Sequence, residues 1–359
     1  MMTEITTLQP MQASDRTAVA AREVAGRLAD RTRRYDFTVW FWGDAIAVDG
    51  LLQVADALGQ EESISHVEQS LRRWIAAPRS WTDHLTPGCA LLDLYRRTAD
   101  EVFLAASIEL ATYLTQQVPR TPDRLPMYRP DLPPYRHCAW VDTLYHEPPF
   151  FARLAAVTGD AEWIDAAEEL CNAHIAVLST ESSPILAHSY DAGAELARGF
   201  GWARGNGWAT LGLIDTLEAL PAGHPAAERL RLVVQRLCSA VLPLQDVSGF
   251  WHTLIEDRDA YLESSTAAFF GATFTKGVRQ GVLGDEYREA ADRAWRAMVS
   301  RIDSDGSFWG VSACTYASVH PDDDIQMYKT LPTEVNVWGQ GAALRFAGER
   351  LIDAGEGAA

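Results

Sequence analysis

The sequence predicts an all-α fold, an (α/α)6 barrel in which six helical hairpins form a toroid with the functional site at a loop-rich mouth. Three observations lead there. The hydrophobic period is helical along nearly all of the 359 residues. One hairpin plan recurs along the chain. The helices number about twelve, with no Pro/Gly/Ser-rich tract to divide them.

In chain order the period places helices near 14–33, 43–59, 61–77, 88–98, 100–118, 148–158, 161–179, 205–220, 225–242, 263–280, 285–301 and 336–352. "DAEWIDAAEELCNAHIAVL" sets Trp163, Ala166, Ala167, Leu170, Cys171, His174 and Val177 on one face, with Asp165, Glu168 and Glu169 on the other. His174 is therefore expected to be a satisfied structural histidine. "LLDLYRRTADEVFLAASIELATYL", "RLAAVTGDAEWIDAAEELCNAHI" and "TKGVRQGVLGDEYREAADRAWRAM" share one plan: an apolar helix, a small turn, then an Asp opening a more amphipathic helix. Asp there caps the second helix and suits its positive end. Short turns make each pair antiparallel neighbours, and an open solenoid of the same pairs is the alternative to a closed ring. A single domain over 1–359 is expected, with flexible tails near 1–13 and 353–359.

Composition limits the partners. Hydrophobic residues make up 47% and charged residues 22%, so a packed core is expected. A formal net charge of -18 argues against general binding to nucleic acid or anionic membranes, which takes basic stripes. It leaves room for a small anionic substrate met by a few local arginines. Twelve tryptophans suit a large core or a sugar platform. The five cysteines, Cys89, Cys138, Cys171, Cys238 and Cys314, form no CxxC pair and suggest neither a zinc site nor a disulfide framework. No signal peptide and no bilayer-spanning apolar run is visible, so a cytoplasmic protein is expected, with monomer and homodimer both open.

Four segments break the helical period and join one hairpin to the next, which gathers them at one mouth of a toroid. "WARGNGW" presents Arg204 between Trp202 and Trp208, suited to a carboxylate, or else a turn capped by Asn206 with Arg204 in a structural salt bridge. "LAHSYD" supplies His188, Tyr190 and Asp191, and "GFWHTL" supplies Trp251 and His252; each histidine could donate, move protons or be an ordinary loop residue. "WTDHLTPG" carries Asp83 and His84, with an N-cap the simpler role for the acid. "DSDGSF" resembles half a calcium loop but lacks the closing Glu and reads as a turn. "PDDD" at 321–324 reads as a solvated loop. Asp142 is the strongest candidate for chemistry. Among Trp140, Leu144, Tyr145 and Phe151 its carboxyl would be poorly solvated, and a carboxyl held protonated can serve as a general acid. Its alternative is a helix N-cap ahead of Pro148.

"AWVDTLYHEPPFFA", "HSYD", "WARGNGW", "GFWH" with "YLESSTAAFF" and "KGVRQG", and "NVWGQGAAL" stand in the order seen in glycoside hydrolase family 105. "DHLTPGCALLDLY" also matches a family segment, and the resemblance runs from about Trp40 to Phe346. Family 105, with its sister family 88, comprises the unsaturated rhamnogalacturonyl and glucuronyl hydrolases. The resemblance implies an (α/α)6 barrel that releases a 4,5-unsaturated uronic acid from the non-reducing end of a lyase product. Asp142 would be the acid/base and Asp83 the second acid. His188 and Arg204 would bind substrate, Arg204 through the uronate carboxylate. Trp42 in "WFWGD", Trp202 and Trp208 would line the sugar pocket, and no metal or organic cofactor is implied. The chain departs from the family pattern near this site. Tyr128 stands in "RLPMYRP" where a glycine-aromatic-His segment is usual, and Cys138 and Ala139 replace Gln-Met. His146 replaces a Met, which adds a titratable group beside Asp142, and "ESST" replaces Glu-x-Ser-Gly-Thr.

Two rival readings remain open at this stage. A sugar epimerase on an α/α barrel would use a histidine pair, such as His188 with His252. An inactive carbohydrate-binding homologue would explain the substitutions.

Overall fold

The computed structural model describes residues 13–37, 42–77, 87–127, 135–315 and 324–355. Asp83, His84, Tyr128, most of the "PDDD" segment and the bulk of the expected tails lie outside those residues. Six helices are buried over most of their length: α2 (Trp42–Leu58), α4 (Gly88–Thr98), α7 (Pro148–Thr158), α9 (Ala203–Ala219), α11 (Ser264–Arg279) and α14 (Val337–Asp353). They alternate along the chain with α1 (Ala13–Thr32), α3 (Glu61–Ala76), α5 (Glu101–Gln116), α8 (Glu162–Leu178), α10 (Pro225–Val241) and α12 (Glu286–Val299). In α3 and α12 only a stripe is buried, as the apolar spacing dictates.

The buried helices touch in the cycle α2–α4–α7–α9–α11–α14 and back to α2, so the ring is closed and the open solenoid is excluded. Each of α3, α5, α8, α10 and α12 packs on the inner helix before it, while α1 packs against α14 and α2 and completes the sixth pair. The inner helices run parallel. Thr210 meets Thr273 near the middle of α9 and α11, Asp215 meets Lys276 further along the same two, Gln53 meets Glu349 late in α2 and α14, and Arg97 meets Asp56 late in α4 and α2. All six N-termini therefore open on one end of the barrel and all six C-termini on the other.

Several turns carry the expected capping chemistry. Ala99 closes α4 at φ 54, and the Asp100 carboxylate accepts from the Val102 amide at 3.0 Å to open α5. Gly159 closes α7 at φ 76, and Asp160 accepts from the Glu162 amide. Asp285 stands at the same place before α12 but its side chain makes no cap bond; it pairs with Arg288 instead. His174 is fully buried with Nδ1 2.7 Å from the Leu170 carbonyl, while its Nε2 has no partner among the described residues, so the expected satisfied histidine is satisfied on one side only. "DSDGSF" is a turn in which Asp305 accepts from the Ser307 amide and Asp303 from the Trp309 indole.

At the C-terminal end, Asp215 is gripped by Lys276 at 2.5 Å and Arg345 at 2.6 Å, and Glu349 by Arg279 and Gln53. These ions border a polar cavity of about 600 Å³ that all six inner helices line. No helix among the described residues is long and apolar enough to cross a membrane.

The connections into the inner N-termini hold what the helical period did not disclose. β1 (Cys138–Trp140), β2 (Ser189–Asp191) and β3 (Leu196–Arg198) form an antiparallel sheet in that order. β4 (Trp251–His252) pairs with β5 (Leu262–Glu263), and β6 (Val311–Ser312) with β7 (Thr333–Glu334). Two short helices, α6 (Thr143–His146) and α13 (Asp324–Thr330), complete the mouth. A Cβ on Gly212 of α9 would stand 2.0 Å from the Leu144 carbonyl oxygen, so glycine there lets the α6 backbone lie directly on α9.

Candidate active site

Asp142 and His188 are brought together by the small sheet. Trp140 of β1 is opposite Ser189 of β2, and the Val141 amide donates to the His188 carbonyl at 2.9 Å. The residues just beyond the two strands therefore converge, although 46 positions separate them in the chain (188 − 142). Oδ2 of Asp142 stands 3.8 Å from Nε2 of His188. Both side chains are buried, at 7% and 2% exposure.

Asp142 occupies the residue before α6, and its carbonyl accepts from the Tyr145 amide. Its side chain, however, makes no capping bond. The N-cap reading ahead of Pro148 is corrected accordingly: Pro148 begins α7, whose own cap position is Glu147. A separate helical turn, Thr143–His146, intervenes, and the Asp142 carboxyl lies beside the His188 ring instead of on a helix end.

His188 sits in an aromatic cage. Its ring centroid lies 4.8 Å from Trp140, 3.9 Å from Trp202 and 5.8 Å from Tyr328, and Nδ1 is 2.5 Å from the Tyr328 hydroxyl. Burial, reinforced by the nearby Arg204 charge, holds the imidazole well below the ordinary histidine range, so it is neutral at pH 7. Asn206 holds this segment from below. Its Oδ1 accepts from the Leu186 amide at 2.8 Å, and Nδ2 donates to the Leu186 and Trp202 carbonyls. Asn206 thus lies inside α9 and clasps the His188 loop; the N-cap position belongs to Trp202.

Arg204, for which the sequence left two readings open, is held by protein groups. It is fully buried. Nη1 donates to the Ser312 carbonyl at 3.0 Å, to its hydroxyl at 2.5 Å and to Glu263 at 3.4 Å; Nη2 donates to Ala313 and Thr315. The guanidinium lies 4.9 Å from the Trp202 ring. Both amino groups are thus engaged by protein, while Nε is buried without a partner among the described residues. Glu263, absent from the sequence candidates, is the ion-pair partner of Nη1. It also accepts from the amides of Ser312 and Thr266, joining β6 to the start of α11. The only sequence signal for it was its place just before the helix in "LESST".

Trp208 is buried against Tyr145, His146, Phe269 and Trp42, and Trp42 also packs on Trp338. His146 is buried, its ring 5.5 Å from that of Trp208. The indole N–H groups of Trp202 and Trp208 are buried with no protein acceptor among the described residues, a feature that invites a ligand with acceptor oxygens. Next to this turn, burial raises the Glu147 carboxyl to about 8, against a lowering by Arg120. His252 lies on β4 with Nδ1 2.5 Å from the Ala260 carbonyl. Among the described residues no ring contact or hydrogen bond joins it to His188.

The family model described as Glycosyl Hydrolase Family 88 matches residues 20–352. The unsaturated rhamnogalacturonyl hydrolase YesR of Bacillus subtilis is 28% identical over 340 residues, 91% of this chain and 94% of its own. An unsaturated 3S-rhamnoglycuronyl hydrolase of an Alteromonas species is 26% identical over 219 residues, 59% of this chain and 51% of its own. A possible member of the GH105 family from Klebsiella pneumoniae superposes with a TM-score of 0.82 at 22% identity, over 97% of this chain and 96% of its own. The unsaturated glucuronyl hydrolase of Bacillus sp. GL1 superposes with a TM-score of 0.71 at 15% identity, over 92% and 94%. At such identities the structural likeness speaks for the fold alone.

Proposed function

Because the chain belongs to glycosyl hydrolase family 88, we propose that it releases 4,5-unsaturated uronic acid from the non-reducing end of lyase-generated oligosaccharides, with Asp142 as the acid. The carrying observation is the Asp142 carboxyl beside neutral His188 inside a wall of tryptophans. Six inner helix N-termini open on this mouth, and their partial positive charge favours an anionic sugar despite the acidic surface.

The substrate's enol ether sets the chemistry. Asp142 gives a proton to C4, and positive charge develops at C5, shared with the ring oxygen. The resulting carboxylate takes a proton from the water that adds at C5. The hemiketal then opens, and the hemiacetal left at C1 expels the neighbouring sugar. One group able to give and retake a proton covers each step, unlike the paired carboxylates of acetal hydrolysis. Trp202, Trp208 and Trp42 supply apolar surface and indole donors for the ring, and His146 packs at a tilt against Trp208. Asp83 as the second acid and Tyr128 as a contact rest on the family resemblance. Arg204 as a ligand of the uronate carboxylate likewise rests on the family resemblance, with its buried Nε the donor left over from its protein contacts. The reading as an epimerase receives no support, since His252 makes its bond to Ala260. Five cysteines without a disulfide suit the cytoplasm, where short lyase products would be trimmed.

The test is direct. Incubating the protein with lyase-generated fragments of pectin, ulvan, gellan and glycosaminoglycans should remove the ultraviolet absorbance of the conjugated enol ether for at least one of them. No loss across the panel contradicts the proposal.

A further inference from the structure

The Nδ1 side of His188 is as closely built as its Asp142 side. Tyr328, on the short helix α13, is fully buried with its hydroxyl 2.5 Å from His188 Nδ1. Space for that hydroxyl depends on Gly199. A Cβ there would lie 2.3 Å from the Tyr328 oxygen and 2.9 Å from His188 Cβ, and the backbone sits at φ +68. The same glycine's carbonyl accepts from the His188 amide. Lys329, the next residue of α13, is paired with Asp257 in the β4–β5 connection at 2.5 Å, which ties the helix down over the cage.

We propose that Tyr328 is a positioning residue that fixes one tautomer of His188, with Nδ1 bare and the proton on Nε2, so that the imidazole presents a donor beside Asp142. A bare imidazole nitrogen accepts hydrogen bonds more strongly than a phenol oxygen, so the Tyr328 O–H donates to Nδ1. The other ring nitrogen then carries the proton and stands 3.8 Å from Asp142 Oδ2. In this state His188 cannot take a proton at Nε2. Its service is to donate to a substrate oxygen, or to the Asp142 carboxylate once that has given up its proton. The role rests on Asp142 and His188 being the reacting site, whereas the tautomer rests on the Tyr328 contact alone.

The test uses the full-length protein with ¹⁵N-labelled histidine, His188 being assigned by the signal lost in His188→Gln. The imidazole correlation spectrum should show a bare Nδ1 and a protonated Nε2. Tyr328→Phe should convert that pattern to a mixture and lower kcat roughly 10–100-fold with a smaller change in KM, the size expected when an oriented group is released. Gly199→Ala, which displaces the hydroxyl and leaves Tyr328 in the chain, should do the same. A protonated Nδ1 in the wild-type protein overturns the tautomer, and a Tyr328→Phe spectrum like wild type overturns Tyr328 as the residue that fixes it. A mixed spectrum with unchanged kcat overturns the positioning role. Full activity in His188→Gln sinks the reading of the site and leaves the spectral result standing by itself.

Discussion

The side-chain amide of Asn206 meets both backbone polar groups of Leu186, accepting from its N–H and donating to its carbonyl, two residues ahead of His188. A loop is thereby held against the first turn of an inner helix, beside the Gly201 amide that donates to the same Leu186 carbonyl. Asn206→Ala should cost roughly 2–3 kcal/mol, because the Leu186 N–H is left buried without its partner. Urea denaturation measures that cost. Since the loop carries His188, kcat measured well below the unfolding midpoint should also fall. A variant destabilised with unchanged kcat would mean the clasp serves the fold only.

His188 is neutral at pH 7 because burial disfavours its cation. Its folded pKa lies below the unfolded value, so the unfolded chain takes up a proton first as pH falls below about 6.5. The stability the residue allows is present above that pH and is lost on acidification. His188→Gln should therefore lose less stability than wild type between pH 7 and 5, read as the melting temperature at each pH. Its kcat should be lower throughout, with the shape of the rate profile from pH 6 to 8 unchanged, since the wild-type imidazole does not titrate there.

Glu147, at the cap position of α7, carries the opposite signature. Its carboxyl is raised from 4.5 to about 8 by burial. The folded state prefers the protonated form, so its contribution is full below about pH 4.5 and is lost as pH rises through 8. Glu147→Gln has no proton to lose. Its stability relative to wild type should rise from pH 5 to pH 9, by roughly 4 kcal/mol. Chemical denaturation at the two pH values measures this, and a constant difference would contradict it.

The barrel was legible because long amphipathic helices write their period into the sequence. All twelve expected helices have counterparts whose ends lie within two residues of the expected ones, as with 88–98 and 148–158. The mouth was less so. α6, α13 and the two- and three-residue strands are too short to carry a period, and they are held by tertiary contacts instead. Asp142 stood out as an acid in aromatic surroundings, and His188 as a histidine in a segment that breaks the helical period. The bond from Tyr328 to His188 spans 140 positions, and that from Arg204 to Glu263 spans 59, so no local pattern announces either. Asn206 was visible as a residue, but its work was not: an asparagine beside glycines reads as a cap until the loop it grips is in place.

The central claim is that Asp142 delivers the proton to C4 of the unsaturated sugar. Asparagine at this position keeps the shape and removes the transferable proton, and the position makes no capping bond that the change would break. The initial rate of absorbance loss at the enol ether band, on whichever lyase product the wild-type protein consumes, should fall at least ~100-fold in Asp142→Asn, with the melting temperature and circular dichroism retained. Wild-type turnover in that variant would contradict the account.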